Sequence, residues 1–536
     1  ILRTRVGHLL AEQLIISLER PAGGRGEPYH RQIYGQIRQS ILDGQLRPGD
    51  RLPSTRDLAN KLGLARNTVA RAYADLLAEG YLAGRVGSGT YVAAGLTAEG
   101  PPLASRSAGR ATQPTFDPPA RAFTEWASRV LREPTSADRS RPLGIDFRLG
   151  TPDWSAFPRL LWMRMLGRAV RREAEELGRY GAPAGYAPLR SAIARHLALS
   201  RGVNATSDQV VIVNGSQQAL DILTRIWVRP GDEVVVEDPG YPDARHALAA
   251  AGARTVPVPV DPEGLDVERL RVDPVTSGAR LVYVTPSHQF PTGATLSLAR
   301  RLALLEWAAR RDVLIAEDDY DSEFHYTGRP VESLQGLDRA GRVVYIGTFS
   351  TVLFPPLRVG YVVLPPDLVS VFQRAKWLSD RQTPTLEQIA LAEFLAEGHF
   401  GRHLRRMRRL AAERRAALLA AIGERFGVSA SAVGGDSGMH VRLPLPPAAS
   451  RSPIEQELAV VRAAAERGVG VYPVGPCCVR PPERASLLLG FAAVSVEQIR
   501  EGVRVLAEVV ASLPQSPSPL RLGGRQARGE VVPPLL

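Results

Sequence analysis

The chain has 536 residues, 44% of which are hydrophobic. A chain of this length usually folds into more than one domain, each with its own hydrophobic core. Its formal net charge of +12 favours polyanionic partners without distinguishing nucleic acid from membranes or phosphorylated ligands. Because the two cysteines, Cys477 and Cys478, are adjacent and no apolar run has the length of a membrane span, we expect a multidomain protein of the reducing cytoplasm with no disulfide and no membrane partner.

Changes of composition divide the chain into five segments. We expect an N-terminal extension over residues 1–24, a small helical domain over 25–93, a linker rich in Pro, Ser, Ala and Arg over 94–143, a large domain over 144–512 and a disordered tail over 513–536. One short helix is predicted inside the linker, over residues 122–132. Two folded domains with separate cores are therefore predicted.

The first predicted element of the small domain is a helix that buries Ile33, Ile37 and Ile41, which recur every four residues and are followed by Gly44. A second helix begins at Ser54, because Ser54 and Asp57 have the spacing of a capping box. A tight turn over residues 63–65 then leads into a third helix.

The third helix, predicted over residues 66–79, has two faces of different character. Its apolar face contains Val69, Tyr73, Leu76 and Leu77. Its other face contains Arg66, Asn67, Ala70, Arg71 and Ala74. Arginine and asparagine exposed near the start of a helix suit base-edge and phosphate contacts in a DNA major groove. Since charges on a helix face are often simply solvated, the neighbouring elements have to decide between these interpretations.

The last part of the small domain predicts a hairpin, with the Gly87-Ser-Gly turn between two short strands, which suits a wing against the minor groove or the DNA backbone. The order Leu46-Arg-Pro-Gly-Asp-Arg-Leu-Pro-Ser-Thr-Arg, Asn67-Thr-Val-Ala-Arg-Ala-Tyr, Gly87-Ser-Gly-Thr-Tyr-Val resembles the GntR-type winged helix-turn-helix, mostly α with a small β wing. The resemblance implies binding of a double-stranded DNA operator through Arg51, Ser54, Arg56, Arg66, Thr68, Arg71 and Gly89. The exposed helix face and the hairpin add Asn67 and Arg85 to this set.

In the large domain, apolar strands alternate with helical segments, which predicts a largely parallel sheet covered by helices. The predicted strands are 210–213, 234–236, 281–284, 313–316 and 343–346. Asn214-Gly-Ser-Gln-Gln opens a helix, where free backbone N–H groups favour a phosphate. Tyr241 lies at a turn where it can stack on a heteroaromatic ring, and Asp318 and Tyr320 suit a pyridinium proton and a ring hydroxyl. Taken singly, each feature has an ordinary explanation as a loop-closing or loop-capping residue.

The order of these motifs, together with Gly347-Thr-Phe-Ser-Thr-Val-Leu-Phe-Pro-Pro-Leu-Arg-Val-Gly-Tyr, resembles fold-type I aminotransferases, which are α/β enzymes that use pyridoxal 5'-phosphate. With the winged domain in front, the chain resembles the MocR subfamily of GntR regulators from about residue 28 to 507, apart from the linker. The resemblance implies a domain that senses pyridoxal phosphate with an amine or amino-acid effector, and a head-to-tail homodimer.

The resemblance also implies which residues hold the cofactor. Ser216, Gln217 and Arg358 would bind the phosphate, and Ser350 belongs to the same set. Tyr241 would stack on the ring, Asp318 would pair with the ring nitrogen and Tyr320 would contact the ring oxygen. Tyr180 would reach the cofactor of the partner subunit.

The chain departs from the family at the residue that binds the cofactor covalently. Family members read Phe-Ser-Lys-Thr-Leu-Phe-Pro-Pro-Leu-Arg, whereas Thr351 occupies the lysine position here. A threonine hydroxyl cannot form an imine. The two lysines of the chain do not replace it in sequence, since Lys61 lies in the predicted DNA-binding helices and Lys376 lies 25 residues beyond Thr351. Residues 487–491 also lack the arginine that binds the substrate carboxylate in catalytic relatives.

Three functions are consistent with this pattern. The first is a transcription regulator whose aminotransferase-like domain holds pyridoxal phosphate non-covalently, or has lost it, and senses a ligand without turnover. The second is an active aminotransferase with an attached DNA-binding domain. The third is a degenerate scaffold that only dimerises. The missing lysine favours the first, so we predict neither a catalytic residue nor a metal site.

Overall fold

The computed structural model describes residues 16–18, 27–85, 88–94, 123–134, 143–272, 278–326, 331–427, 437–448 and 451–513. They belong to two compact units, divided between residues 120 and 121, within the predicted linker. Most of the predicted N-terminal extension, and the predicted disordered tail from residue 514 onward, lie outside the described residues. Within the part of the chain that is described, no helix is long and apolar enough to cross a membrane.

The N-terminal unit is a three-helix domain with a hairpin. Its elements are α1 (Tyr29–Leu42), α2 (Thr55–Leu62), α3 (Arg66–Ala78), β1 (Leu82–Arg85) and β2 (Gly89–Val92). Ile33 and Ile37 of α1 are fully buried against Val69 and Leu76 of α3 in one core. The hairpin strands are antiparallel, with Leu82 opposite the last residue of β2. These elements confirm the predicted winged helix-turn-helix.

Two details of this unit differ from the sequence prediction. Leu77 is 38% exposed rather than inside the core, because each residue turns a helix by about 100° and Leu76 already points to the centre of the buried face. Ser54 caps α2 by accepting a hydrogen bond from the Asp57 backbone N–H at 3.1 Å. The Asp57 carboxylate, however, accepts the Ser54 hydroxyl at 2.7 Å instead of returning to the backbone, so the capping box is only half formed.

The larger unit alternates helices and strands. Its helices are α4 (Glu125–Val130), α5 (Arg159–Arg172), α6 (Ala174–Leu177), α7 (Ala187–Arg201), α8 (Ser216–Trp227), α9 (Pro242–Ala251), α10 (Val267–Val272), α11 (Leu298–Arg311), α12 (Leu334–Leu337), α13 (Pro366–Asp380), α14 (Thr385–Ala396), α15 (His399–Phe426), α16 (Pro453–Glu466) and α17 (Val496–Ser512). Its strands are β3 (Ile145–Asp146), β4 (Val210–Val213), β5 (Glu233–Asp238), β6 (Arg254–Asp261), β7 (Gly264–Leu265), β8 (Ala279–Val284), β9 (Leu314–Asp319), β10 (Val343–Thr348), β11 (Gly360–Val363), β12 (His440–Pro444), β13 (Val469–Gly470), β14 (Tyr472–Pro473) and β15 (Ser486–Gly490).

The central sheet has eight strands in the order β4-β11-β10-β9-β8-β5-β6-β7. The strands β10, β9, β8, β5 and β6 are parallel to one another, whereas β11 pairs antiparallel with both β10 and β4, and the short β7 pairs antiparallel with β6. This confirms the predicted largely parallel α/β sheet. Because side chains alternate along a strand, Val234 and Val236 face α8, α9 and α13, while Val235 faces α10 and α11.

The C-terminal part of the larger unit adds a second, antiparallel sheet with the order β12-β15-β14. Its strands are buried almost throughout, and α15, α16 and α17 pack in the same core. The helix α4 lies within the predicted helical stretch of the linker and packs on α9, where Arg129 donates a hydrogen bond to the Ala250 carbonyl at 2.9 Å. The larger unit therefore includes part of the segment predicted as linker.

Candidate ligand-binding site

A cavity of about 290 Å³ lies in the larger unit, where the carboxyl ends of the parallel strands meet. Its lining includes the sequence-predicted residues Ser216, Gln217, Tyr241, Asp318, Tyr320, Ser350, Thr351 and Arg358. Tyr180 is not part of this lining: it is 73% exposed, and the Arg381 guanidinium lies over its ring at 5.2 Å from the centroid. One chain therefore brings together every predicted cofactor residue except Tyr180.

One end of the cavity has the hydrogen-bond donors and positive charge that suit an anion. The helix α8 begins at Ser216, so its free N–H groups and dipole face the cavity. Gly215 precedes it with φ of 89°, and a Cβ there would lie 2.8 Å from Nη2 of Arg358. That guanidinium donates to the Asn214 carbonyl at 2.7 Å, and the buried Oγ of Ser350 has no hydrogen-bond partner among the described residues. A helix terminus beside a guanidinium fits a phosphate.

Asp318 occupies another wall of the cavity. It is buried at the end of β9, and its Oδ2 accepts a hydrogen bond from the Tyr283 hydroxyl at 2.7 Å. Its Oδ1 is buried with no hydrogen-bond partner in the described part of the chain. Burial raises the pKa of Asp318 to about 7, and the bond from Tyr283 opposes that rise. A carboxylate with one unpaired buried oxygen fits a pyridinium N–H, whose positive charge would favour the ionised form.

Neighbouring side chains and a backbone carbonyl hold two tyrosines of the cavity wall, Tyr241 and Tyr320, in position. Tyr241 packs edge-on against Phe290, with ring centroids 5.6 Å apart. The Tyr320 hydroxyl donates to the His288 carbonyl at 3.0 Å, so in this structure it is engaged with the protein. His288 Nδ1 lies 2.8 Å from a carboxylate oxygen of Asp321, and both residues are buried. These contacts fix Tyr320 at the cavity wall.

Thr351 is 9% exposed, and its hydroxyl donates to the Tyr320 carbonyl. The side chain of Lys376 is fully buried, with its ammonium 2.8 Å from both carboxylate oxygens of Asp380, and it does not line the cavity. Lys61 belongs to the other unit. Within the chain, the cavity therefore offers hydroxyls but no amine.

Sequence reasoning did not identify several residues of the cavity wall. Tyr283 lies in a run of apolar residues that is typical of a core strand, yet its hydroxyl holds Asp318. His440 comes from β12 of the second sheet, and burial lowers its pKa to about 3, so it is neutral. Leu149 and Thr151 come from the segment after β3. Tyr283 lies inside a predicted strand and the other three lie far along the chain from the strand-end motifs, so no local pattern marks any of them.

In the N-terminal unit, the predicted DNA contacts lie largely on the surface. The exposed members are Arg51, Ser54, Arg56, Arg66, Asn67, Arg71, Arg85 and Gly89, whereas Thr68 is half-buried. No ion pair with another described residue engages Arg56, Arg66 or Arg71. Gly89 has φ of 116°, and the Arg51 side chain would be 3.2 Å from a Cβ there. This glycine therefore permits both the turn and the close approach of Arg51.

Comparison with known proteins places both units. Residues 29–92 match the family of bacterial regulatory proteins, gntR family, and residues 158–506 match aminotransferase class I and II. The chain is 40% identical to the probable rhizopine catabolism regulatory protein MocR of Rhizobium meliloti, over 91% of this chain and 95% of that protein. It is 33% identical to the pyridoxine biosynthesis transcriptional regulator PdxR of Corynebacterium glutamicum, over 73% and 78% of the two chains.

Among solved structures, the larger unit is similar to LysN, the alpha-aminoadipate aminotransferase of Thermus thermophilus, in complex with N-(5'-phosphopyridoxyl)-L-leucine. The TM-score is 0.66 at 31% identity, covering 73% of this chain and 97% of that one. The two units and the regulators that share both of them lead to one conclusion: the chain belongs to the MocR subfamily of GntR-type transcriptional regulators, in which a winged helix-turn-helix is joined to an aminotransferase-like domain.

Proposed function

We propose that this regulator binds operator DNA through its N-terminal unit and a phosphopyridoxyl ligand, without a covalent bond, through the cavity of its larger unit. One observation carries the proposal. The covalent anchor is replaced by Thr351, whereas the unpaired Asp318 oxygen and the anion site at Gly215 and Arg358 remain. Selective loss of one group favours retained binding over general decay of the site.

Each residue would then have a binding role. Pyridoxal phosphate supplies an electrophilic carbonyl that captures amines. The α8 N–H groups at Ser216 and the Arg358 guanidinium would hold the phosphate, Asp318 would accept the ring N–H, and Tyr241 would cover one ring face. Thr351 can act neither as the amine nor as the proton carrier that turnover requires. Recognition of an amine or amino-acid effector without turnover follows from this set.

The alternative is an aminotransferase with an attached DNA-binding unit. It requires an amine that reaches the cavity, and the Lys376 ammonium is already held by Asp380 outside it. The remaining alternative, a scaffold that binds no cofactor, leaves the unpaired buried oxygen of Asp318 without a function. Both alternatives are distinguished from our proposal by ligand binding.

Calorimetry with pyridoxamine 5'-phosphate tests the proposal, because this ligand needs no lysine. We expect the wild-type protein to bind it, and Arg358→Gln to weaken binding about 10- to 100-fold, the effect of losing a charge-assisted hydrogen bond of about 1.5–3 kcal/mol. Phosphate-free pyridoxamine serves as the control, because its weaker binding should be the same in both proteins. If the wild-type protein binds neither ligand, the scaffold alternative holds.

We also infer that the protein is a homodimer assembled through its larger unit. On α5, Leu160, Met163 and Val170 share one face and are 76%, 66% and 51% exposed, opposite the buried Trp162 and Met165. A contiguous exposed apolar stripe on a soluble domain is typical of an interface. Tyr180 is accessible, which supports the proposed contact with the cofactor of a partner subunit.

Sedimentation velocity at micromolar concentration tests the dimer. We expect the wild-type protein to sediment as a dimer and Met163→Glu to sediment as a monomer, because a carboxylate cannot be buried unpaired in an apolar interface. Leu302→Glu is the matched control, since Leu302 is 50% exposed on α11, away from the stripe. A monomeric wild-type protein would contradict the inference.

A further inference from the structure

Arg442 on β12 is a cation that no acid among the described residues neutralises. Its Nε is buried without a hydrogen-bond partner, and Arg442 forms no ion pair with another described residue. Burial lowers the pKa of its guanidinium; nearby Cys478 opposes this shift, and the charge of nearby Arg484 adds to it. A partly buried guanidinium without an acid is unfavourable unless an anion arrives to pair with it.

The position of Arg442 places it on the cavity side of its sheet. Side chains alternate along a strand, so Arg442 shares a face with His440, about 6.8 Å along the strand, and His440 lines the cavity. In the antiparallel register Arg442 is directly opposite Leu488, and opposite residues project to the same face. Leu488 packs in one cluster with Leu149 and Phe290, which also line the cavity.

Arg358 and Arg442 have different surroundings. Arg358 belongs to the anion site at the start of α8, whereas Arg442 comes from the second sheet. If the phosphate of a ligand binds at the anion site beside Arg358, a second negative group on that ligand lies away from Arg358 and can approach the second sheet. A carboxylate matches a guanidinium especially well, because its two oxygens accept two parallel N–H bonds.

We propose that Arg442 binds the carboxylate of the effector, so that the cavity selects an amino acid joined to the phosphopyridoxyl group over the corresponding amine. This inference rests on the proposed function, because the phosphopyridoxyl group orients the effector. Arg442 is therefore a specificity-determining residue, whereas the residues at the phosphate and the ring nitrogen hold what all such ligands share.

Two stable ligands that differ only in the carboxylate test the proposal. They are N-(5'-phosphopyridoxyl)-L-leucine and N-(5'-phosphopyridoxyl)-3-methylbutylamine, titrated calorimetrically into the full chain. We expect the wild-type protein to prefer the leucine adduct about 10- to 100-fold, as expected for a charge-assisted pair. In Arg442→Gln the preference should fall below about threefold while the affinity for the amine adduct stays unchanged.

Arg484→Gln is the matched control, because Arg484 is close by but its Nε already donates to the Leu445 carbonyl at 2.8 Å. It should keep the preference. Arg442→Met removes the charge with an apolar side chain and should behave like Arg442→Gln, and unchanged binding of the amine adduct shows that either variant is folded. Equal binding of both adducts by the wild-type protein would overturn this inference and leave the proposed function standing, whereas binding of neither would overturn both.

Discussion

Replacing Thr351 with lysine should give this protein a covalent bond to pyridoxal phosphate that the wild-type chain cannot form. Thr351 lines the cavity beside Ser350 and Tyr320, so a lysine there would bring a primary amine to a lining that contains no other lysine. Its ammonium would be partly desolvated, which favours the neutral, nucleophilic form.

The measurement is borohydride reduction in the presence of pyridoxal phosphate, followed by peptide mass spectrometry. Thr351→Lys should carry about one phosphopyridoxyl group per chain at residue 351, and the wild-type protein should carry none there. Thr351→Val is the control for loss of the hydroxyl, and labelling of exposed Lys61 in all three proteins reports non-specific reaction. If Thr351→Lys takes up no label at residue 351, then this position does not face the cofactor carbonyl and our assignment of the cavity is wrong.

Removing both Arg66 and Arg71 should strongly weaken specific DNA binding. Both side chains are exposed on α3, about one and a half helical turns apart. No described acid pairs with them. A bidentate arginine contact to a base contributes about 1–3 kcal/mol, so the double substitution Arg66→Ala/Arg71→Ala should weaken binding to a selected operator by at least about 30-fold. The core residues Val69 and Leu76 are untouched, so the unit should stay folded.

Operator affinity can be measured by fluorescence anisotropy at fixed salt, on a sequence selected from random DNA by the wild-type protein. Arg31→Ala/Arg47→Ala is the matched control, because it removes the same charge from exposed positions outside α3. That control should lose affinity slightly and for all sequences alike, as expected of counterion effects. Unchanged operator affinity in the α3 variant would show that another surface reads the DNA.

The strand β9 shows how far the sequence could predict the fold. The apolar run 313–316 predicts a strand, but β9 continues to Asp319 through three consecutive acids. Acids usually end a buried strand, and here they are compensated from other elements. Glu317 accepts backbone N–H groups of residues 334 and 335 at 2.9 Å, and Asp319 pairs with buried Arg201 at 2.9 Å. Hydropathy cannot anticipate a partner such as Arg201, which is more than a hundred residues away.

The same limit applies to the site. Residues at or just after the carboxyl ends of strands, such as Asp318 and Ser216, are predictable because parallel strands end at one edge. His440 comes from a separate sheet, and only the folded chain brings that sheet to the cavity. The prediction that Thr351 stands at the lysine position depended on comparing its flanking residues with a family, since a threonine in a loop carries no signal of its own.

The loop between β10 and β11 affects how this site can evolve. It joins adjacent antiparallel strands and carries both Thr351, at the position where family members have the lysine, and Arg358, which we propose binds the phosphate. Its shape is maintained by contacts that do not involve a lysine, among them the bond from Thr351 to the Tyr320 carbonyl. A single substitution at residue 351 can therefore remove or restore the covalent bond to the ligand while the loop keeps its path. Affinity for the ligand and reactivity toward it can then evolve separately.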